Sequence, residues 1–224
     1  MCIKAAIKVF FIALSLNYLC TGCGEAPIPP TVLWNTQEIC GRDKGSSTER
    51  ESIYRAKIPQ NWIRRDPASD ESIVDTTKAL CEFVIAEETG QIRITIHNFP
   101  FNQMQDRIPP AAQIARWRRQ FDSLDAATLR MTPQAYAGFV GMNFEGTGIL
   151  KGQTNTVMGW SMQLAPEHYQ SLSKSNSLSE QKQREQMRAD FTIKAVGDPL
   201  LVAKHRDQIE KFARSFELIQ EIPL

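Results

Sequence analysis

The sequence predicts an α+β fold, in which two long helices pack on a mainly antiparallel sheet of about six strands. Several short runs alternate apolar and polar residues, which is typical of half-buried strands. Two longer segments repeat apolar residues every three or four positions, as amphipathic helices do. Three strands, a helix, three strands and a second helix follow one another, and this order favours α+β over α/β.

The predicted strands are short and are bounded by turn residues. The first begins near Ser52 and ends at Pro59, and Gly90 joins the second and third as a hairpin. In the third strand Ile92, Ile94 and Ile96 alternate with polar residues, so one face should be buried. The six predicted strands are 52–58, 79–86, 91–99, 138–148, 154–164 and 189–197.

Prolines mark the start of both predicted helices, because proline suits the first helical turn. The first helix begins at Pro109 and Pro110 and ends near Leu124. Its apolar stripe consists of Ile114, Trp117, Phe121 and Leu124. The second begins at Pro199, with Asp198 as its N-cap. His205 falls on the apolar side of the second helix, so we expect it to be packed and hydrogen-bonded.

The N-terminus predicts a signal peptide over residues 1–22. Lys4 and Lys8 are the only charges before Cys23, and residues 9–19 are mostly apolar. Eleven helical residues span roughly 16 Å, about half of a bilayer core, which suits a signal peptide better than a transmembrane helix. We predict a flexible, Pro-, Gly- and Ser-containing tether over 23–51. The folded domain then covers 52–218, with a C-terminal tail at 219–224 and a solvated insertion at 166–188.

The segment from Leu19 to Cys23 resembles the lipobox of bacterial lipoproteins. In that family a small residue, here Gly22, precedes a cysteine that takes a diacylglyceryl group, and the chain is cut before that cysteine. Cys20 departs from the pattern, since the family prefers leucine there. The resemblance implies acylation of Cys23, anchoring in the bacterial cell envelope and, because no Asp follows Cys23, the outer membrane facing the periplasm. The alternative is an ordinary secretory signal in which Cys23 is a chance thiol.

Charge and motifs argue against several classes of function. The chain carries 26 basic and 25 acidic residues, and loss of Lys4 and Lys8 with the signal moves its net charge from +1 to −1. This balance gives no general attraction to nucleic acid. The predicted mature chain, from Cys23 onward, has no Cys-x-x-Cys, and the sequence has no His-Glu-x-x-His, Gly-x-Ser-x-Gly or phosphate-loop motif. We therefore expect neither a metal nor a cofactor.

Two cysteines of the predicted mature chain allow two interpretations. A disulfide between Cys40 and Cys81 is permitted in an oxidising compartment, and it would close a loop of about 40 residues. Alternatively, Cys81 is a buried free thiol, because it alternates with Phe83 and Ile85 on one strand face. The sequence does not decide between them.

Several residues are candidates for a binding or catalytic site. Arg116, Arg118 and Arg119 form the densest basic cluster, which is either a patch for an acidic partner or the solvent face of a helix. His97 lies opposite the isoleucines of its strand, and His168 lies in the insertion. Three tryptophans either line a groove or are buried in the core, which is the default for such side chains: Trp62, Trp117 and Trp160.

Two local phrases and the order of elements resemble the PsbP-like family. One phrase runs from Tyr54 to Trp62, with an apolar strand, a proline and a tryptophan. The other is Phe191 to Gly197, followed by Pro199 and a helix ending at Arg214-Ser-Phe. The resemblance covers about 52–218 and implies a scaffold that binds proteins or assists assembly.

The sequence thus leads us to expect a lipid-anchored envelope protein whose domain binds another envelope protein or supports an assembly. Two alternatives come from other classes. One is an envelope enzyme that uses His97 or His168 with a nearby carboxylate or serine. The other is a carrier with a pocket lined by tryptophan.

Overall fold

A computed structural model describes residues 31–40, 52–66, 78–99, 104–165 and 189–219. All of these except Thr31 belong to one compact unit, Val32–Leu224. In these ranges no helix has both the length and the apolar character needed to cross a membrane. Cys23, His168 and the predicted insertion lie outside the described residues.

Two antiparallel sheets make up most of the described chain. The strands are β1 Trp34–Cys40, β2 Ser52–Pro59, β3 Ile63–Arg65, β4 Cys81–Glu87, β5 Gly90–Asn98, β6 Ser123–Leu124, β7 Arg130–Tyr136, β8 Phe139–Leu150, β9 Gln153–Leu164, β10 Phe191–Gly197 and β11 Glu217–Leu218. The larger sheet has eight strands in the order β3-β4-β5-β10-β9-β8-β6, and β7 also pairs with β8. The smaller sheet has the order β1-β2-β11.

The two described α-helices differ in length. Helix α1, Pro110–Arg118, has 9 residues, whereas α2, Pro199–Arg214, has 16. The side chain of Asp198 accepts hydrogen bonds from the first backbone N–H groups of α2, which confirms Asp198 as its N-cap. Short 3-10 turns lie at Met104–Asp106 and Ala126–Thr128.

The main core lies between the larger sheet, α2 and the smaller sheet. Aromatic side chains from all three meet there: Tyr54 of β2 packs on Phe191 of β10, with ring centroids 5.7 Å apart. The ring centroid of Phe216, which follows α2, lies 4.4 Å from that of Phe191. Trp62 packs against Phe212 of α2 at 5.3 Å. Burial of such rings is the main stabilising contribution of this core.

Helix α1 packs on the opposite face of the larger sheet. Its Ile114 and Trp117 form a second, smaller core with Phe121, Phe144 and Val157. The central strands β9 and β10 are therefore covered on both faces, but α1 is too short to cover the face from edge to edge. The part that it leaves open forms the groove described below.

A glycine provides the space for the largest side chain of this second core. A Cβ atom built on Gly159 of β9 would lie 2.4 Å from a ring carbon of Trp117, far inside van der Waals contact. The indole therefore lies directly against the backbone of β9. This contact sets how closely α1 approaches the sheet.

The β7–β8 hairpin forms a protected edge. Ala137 and Gly138, with φ angles of 48° and 78°, make its two-residue turn. Pro133 lies opposite Met142 in this hairpin. Counting from the turn, the nitrogen of Pro133 points to the open edge, where a missing N–H leaves no partner unsatisfied.

A buried ion pair joins the end of β9 to the start of β10. Arg107 donates from Nε to Asp190 Oδ2 at 2.7 Å and from Nη2 to Asp190 Oδ1 at 2.6 Å. Arg107 Nη2 also donates to the carbonyl of Leu164, whose own N–H donates to Asp190 at 3.0 Å. Burial raises the pKa of Asp190 in spite of Arg107.

The structure corrects the predicted size of the sheet. The strands together exceed the six expected, because β3, β6 and β11 have only two or three residues, too few to show alternation. In addition, β7 is exposed on most of its length and so lacks an apolar face. Five of the six predicted strands, β4, β5, β8, β9 and β10, are paired antiparallel in the larger sheet. The first predicted strand, β2, belongs instead to the smaller sheet, where it pairs antiparallel with β1 and β11.

The first helix is shorter than predicted. It ends at Arg118 rather than near Leu124, and the N–H of Asp122 already bonds to the carbonyl of Ile149 on β8 at 2.8 Å. Leu124 belongs to β6, opposite Gly148. Phe121 and Leu124 keep the helical spacing by chance, since both pack on the same small core from a turn and a strand.

The stretch predicted as a tether contains strand β1. Trp34 packs against the main core, and Lys211 Nζ lies 4.6 Å from the centroid of its ring. Ile39 is fully buried. The folded domain therefore extends upstream of the predicted boundary at Ser52, a strand that the prolines and glycines around it concealed.

We expect Gly159→Ala to destabilise the fold by about 1–3 kcal/mol, because the added methyl must displace the Trp117 indole and α1 with it. Denaturant unfolding of the full chain measures the free energy of unfolding. In a Trp117→Leu background the same substitution should cost much less. An equal cost in both backgrounds would show that the indole is not the obstacle.

Candidate functional site

An open groove lies beside α1 on the larger sheet. Strands β4, β5 and β10 form its floor, α1 forms one wall and the β8–β9 turn at 150–155 closes one end. Its volume is about 1300 Å³. Many polar side chains converge on this groove.

Strand alternation explains why the groove is polar. On β5 the residues Ile92, Ile94 and Ile96 face the main core, so the intervening residues face the groove. On β10 the core positions are Phe191, Ile193 and Ala195 for the same reason. The groove positions of these two strands are Arg93, Thr95, His97, Thr192, Lys194 and Val196.

Basic side chains outnumber acidic ones in the groove by six to three. The basic residues are Arg65, Lys78, Arg93, Arg116, Lys151 and Lys194, and the acidic residues are Asp66, Glu82 and Asp198. Glu82 already forms an ion pair with Arg93, and Asp66 accepts from Arg64 at 2.9 Å. Asp198 accepts from two N–H groups of α2, at 2.9 and 3.2 Å. Each groove carboxylate thus has a partner other than Lys194.

Arg65 and three clustered cations of the groove, Lys194, Arg116 and Lys151, have no carboxylate partner among the described residues. Lys194 Nζ donates to the amide oxygen of Gln120 at 3.1 Å. Burial lowers the pKa of Lys194, and the positive charges of Arg116, Arg93 and Lys151 lower it further. A negative group placed among these cations would relieve their repulsion, so the arrangement is suited to binding an anion.

The structure divides the basic cluster predicted on the first helix. Arg116 lines the groove next to Trp117 and Gln120. Arg118 and Arg119 are exposed on α1 but do not line the groove. The helical rotation of 100° per residue places these three neighbours on different sides, so only Arg116 joins the site.

His97 lies in the groove and its ring stacks on that of Phe99: the ring centroids are 6.5 Å apart and the angle between the ring planes is 13°. Cys81 borders the groove, but its side chain belongs to the main core, and burial raises the pKa of its thiol to about 12, so it is protonated at neutral pH and a poor nucleophile. No three His, Cys, Asp or Glu side chains of the described ranges are grouped as metal ligands.

His205 is packed and hydrogen-bonded, as the sequence predicted. It is 5% exposed, and its Nε2 lies 2.6 Å from Glu87 Oε1. Lys204 Nζ also donates to Glu87, at 2.6 and 2.7 Å. These hydrogen bonds, first from Lys204 and then from His205, lower the pKa of Glu87. The triad fastens α2 to the end of β4.

The tryptophans are core residues. Trp62 and Trp160 are 6% and 2% exposed and belong to the main core, so they line no groove between them. Trp117 is buried in the second core, and one side of it reaches the groove.

The sequence reasoning missed Lys194, Arg93 and Lys151. Each stands at a polar position of a strand or turn, which is the ordinary place for a solvated charge. Their grouping depends on β10 pairing between β5 and β9, a long-range arrangement with no local signal.

Comparison with known proteins gives similarity of structure only. No family model matches the chain, and no curated protein matches it. One similar solved structure is LpqN of Mycobacterium tuberculosis, described as involved in cell envelope biogenesis, with 11% identity, a TM-score of 0.49 and coverage of 83% of this chain and 91% of LpqN. Another is the cyanobacterial PsbP of Synechocystis, with 10% identity, a TM-score of 0.45 and coverage of 88% and 98%.

The structure shows Cys40 and Cys81 as free thiols, Cys40 half-buried and Cys81 buried. A disulfide between them stays a prediction of the sequence. In the state that the structure shows, native alkylation should modify Cys40 and spare Cys81, and unfolding in guanidinium should expose both. Peptide mass mapping measures the extent of alkylation at Cys40 and at Cys81 separately. If neither is alkylated after unfolding without reductant, the pair is oxidised.

Proposed function

We propose that the chain is a lipid-anchored envelope protein whose groove binds an acidic segment of another envelope protein. The observation that supports this most strongly is the set of three cations, Lys194, Arg116 and Lys151, that face the groove without a carboxylate partner among the described residues. Lys194 is half-buried, and burying a lysine without a counter-charge is unfavourable, so a ligand that supplies the negative charge is favoured at this position.

The size of the groove favours a peptide segment over a small molecule. Its volume of about 1300 Å³ exceeds the roughly 300–1,000 Å³ of usual small-ligand pockets, and the groove is open rather than enclosed. Thr95, Thr192 and Gln113 also line it and provide hydrogen-bonding groups beside the cations. An extended acidic segment can place carboxylates on the cations and its backbone on these polar groups.

The proposed attachment is through Cys23. It depends on the short apolar signal and on the small residues before that cysteine, as argued from the sequence. Acyl chains contribute about 0.8 kcal/mol per buried methylene, so two or three chains hold a domain stably at a bilayer. We place the protein at the outer membrane, facing the periplasm, where the groove would meet other envelope proteins.

Loss of the Lys194 charge should weaken binding of a fluorescent oligoglutamate peptide at least about tenfold, since a hydrogen bond to a charged group contributes about 1.5–3 kcal/mol. Fluorescence anisotropy of the full chain compares Lys194→Gln and Arg116→Gln with Arg118→Gln. The last is a matched control, because Arg118 is on the same helix and outside the groove. The pH provides a second readout. Only protonated Lys194 binds, so affinity should fall as pH rises through its lowered pKa, and Lys194→Gln should remove that step.

Equal losses in Arg116→Gln and Arg118→Gln would contradict the groove as the site, because they would indicate only a general attraction of charge. Capture from detergent-solubilised envelopes with the wild type and with Lys194→Gln then tests the physiological partner. A protein retained by the wild type and lost by the variant supports the proposal. Identical captures would speak against it.

Metabolic labelling with a fatty acid tests the anchor separately. The wild type should incorporate the label and Cys23→Ser should not, because the thiol is the acceptor. Mass measurement of the mature N-terminus provides an independent check. Equal labelling of both chains would overturn the assignment of Cys23.

A further inference from the structure

We infer that the turn between β2 and β3, with the exposed side chains Leu33 and Ile63, rests on the surface of the bilayer that holds the anchor. This inference depends on the proposed acylation of Cys23. It concerns a surface that shares Arg65 but not Lys194, Arg116 or Lys151 with the groove, and it assigns to the domain a contact with lipid in addition to the covalent one.

Backbone hydrogen bonds bring the N-terminal segment to this turn. The N–H of Gln60 donates to the carbonyl of Leu33 at 2.9 Å, and Trp34 is paired with Pro59. The N–H of Trp62 bonds back to Pro59 at 3.1 Å and closes the turn, after which Ile63 opens β3. Leu33 and Ile63 thus lie on the same end of the domain.

At this end of the domain the tryptophans are packed into the core, whereas two aliphatic side chains are exposed. Trp62 is buried in the main core and Trp34 packs against it. Leu33 and Ile63, by contrast, are 61% and 50% exposed, among the most exposed large apolar residues of the described chain. Two such side chains beside one turn form an apolar tip, which is a shape that enters the headgroup region of a membrane.

The length of the tether brings this tip close to the lipid. Ten residues separate Cys23 from Leu33, so the acylated residue lies at most roughly 36 Å from it along an extended chain. Leu33 lies near the start of the described chain, so of the described surface the tip is joined to the anchor by the shortest length of chain.

A cation beside the tip matches the charge of anionic headgroups. Arg65 is exposed, follows Ile63 by two residues and so projects from the same face of β3. Its neighbour Arg64 is paired with Asp66, whereas Arg65 has no carboxylate partner among the described residues. An apolar tip with a free arginine beside it fits an anionic lipid surface.

Hydroxyl-radical footprinting of the acylated full chain tests this contact in vesicles of phosphatidylethanolamine and phosphatidylglycerol. Two residues of matching type are internal controls: Leu200, 83% exposed, for Leu33, and Ile149, 43% exposed, for Ile63. Leu200 lies at the start of α2, about 16 Å along the helix from Lys211, which covers Trp34. From the exposed fractions alone, Leu33 should oxidise at about 0.7 of the rate of Leu200, the ratio of 61% to 83%.

Contact with the bilayer should reduce this ratio about threefold or more, and the ratio of Ile63 to Ile149 likewise, because buried side chains escape the radical. Ile63→Asn should partly restore oxidation of Leu33, and Ile149→Asn should not. Ratios that equal those of the exposed fractions overturn the inference. Protection that disappears when the protein is diluted in lipid assigns the tip to a second copy and also overturns it.

The same sample separates this inference from the proposed function. Mass spectrometry reports whether Cys23 carries acyl chains. An acylated chain with an unprotected tip contradicts only the lipid contact. A chain without acyl groups contradicts the anchor and the contact together. Vesicles of phosphatidylcholine provide the last comparison, since equal protection there would contradict the part assigned to Arg65.

Discussion

The close packing of Trp117 against Gly159 determines where α1 lies on the larger sheet, and therefore which part of that face stays open. It holds a helix of 9 residues on a sheet of eight strands, at a distance that any larger residue on β9 would prevent. Because the helix is short, β4, β5 and part of β10 remain uncovered on that face. The main core on the other face keeps those strands in place without α1. The groove is thus an unfilled layer of the fold, and its side chains are displayed on a rigid floor.

The electrostatics of the groove follow from this arrangement. Lys194 stands on a central strand, so its ammonium is partly desolvated by α1 while Arg116 and Lys151 approach it from the wall and the turn. Coulomb repulsion between such groups is stronger than at an open surface, because less water screens it. A nearly neutral chain can in this way concentrate positive charge where a partner would bind.

Local patterns predicted most of the fold and little of the site. A strand is predicted by Ile92, Ile94 and Ile96, because burial of one face requires an apolar side chain at every second residue. The start of a helix is predicted by Asp198 and Pro199, because capping depends only on neighbouring residues. Strand β1 was not predicted, because its burial depends on contacts that Trp34 and Ile39 make with distant parts of the chain. The basic cluster of the first helix allows either a binding patch or a solvent face, and the structure places only Arg116 in the groove, with Arg118 and Arg119 outside it. Lys194 had no local signal, because its surroundings come from strands far apart in sequence.

The ion pair of Arg107 and Asp190 has a consequence for the segment between β9 and β10. Leu164 and Asp190 are clamped side by side by charged hydrogen bonds, so the two ends of residues 166–188 are held together from within the domain. The length and composition of that segment are consequently decoupled from the register of the sheet. This junction is a suitable place to graft an epitope or a fluorescent module, because the hydrogen bonds among Arg107, Leu164 and Asp190 hold its two ends together.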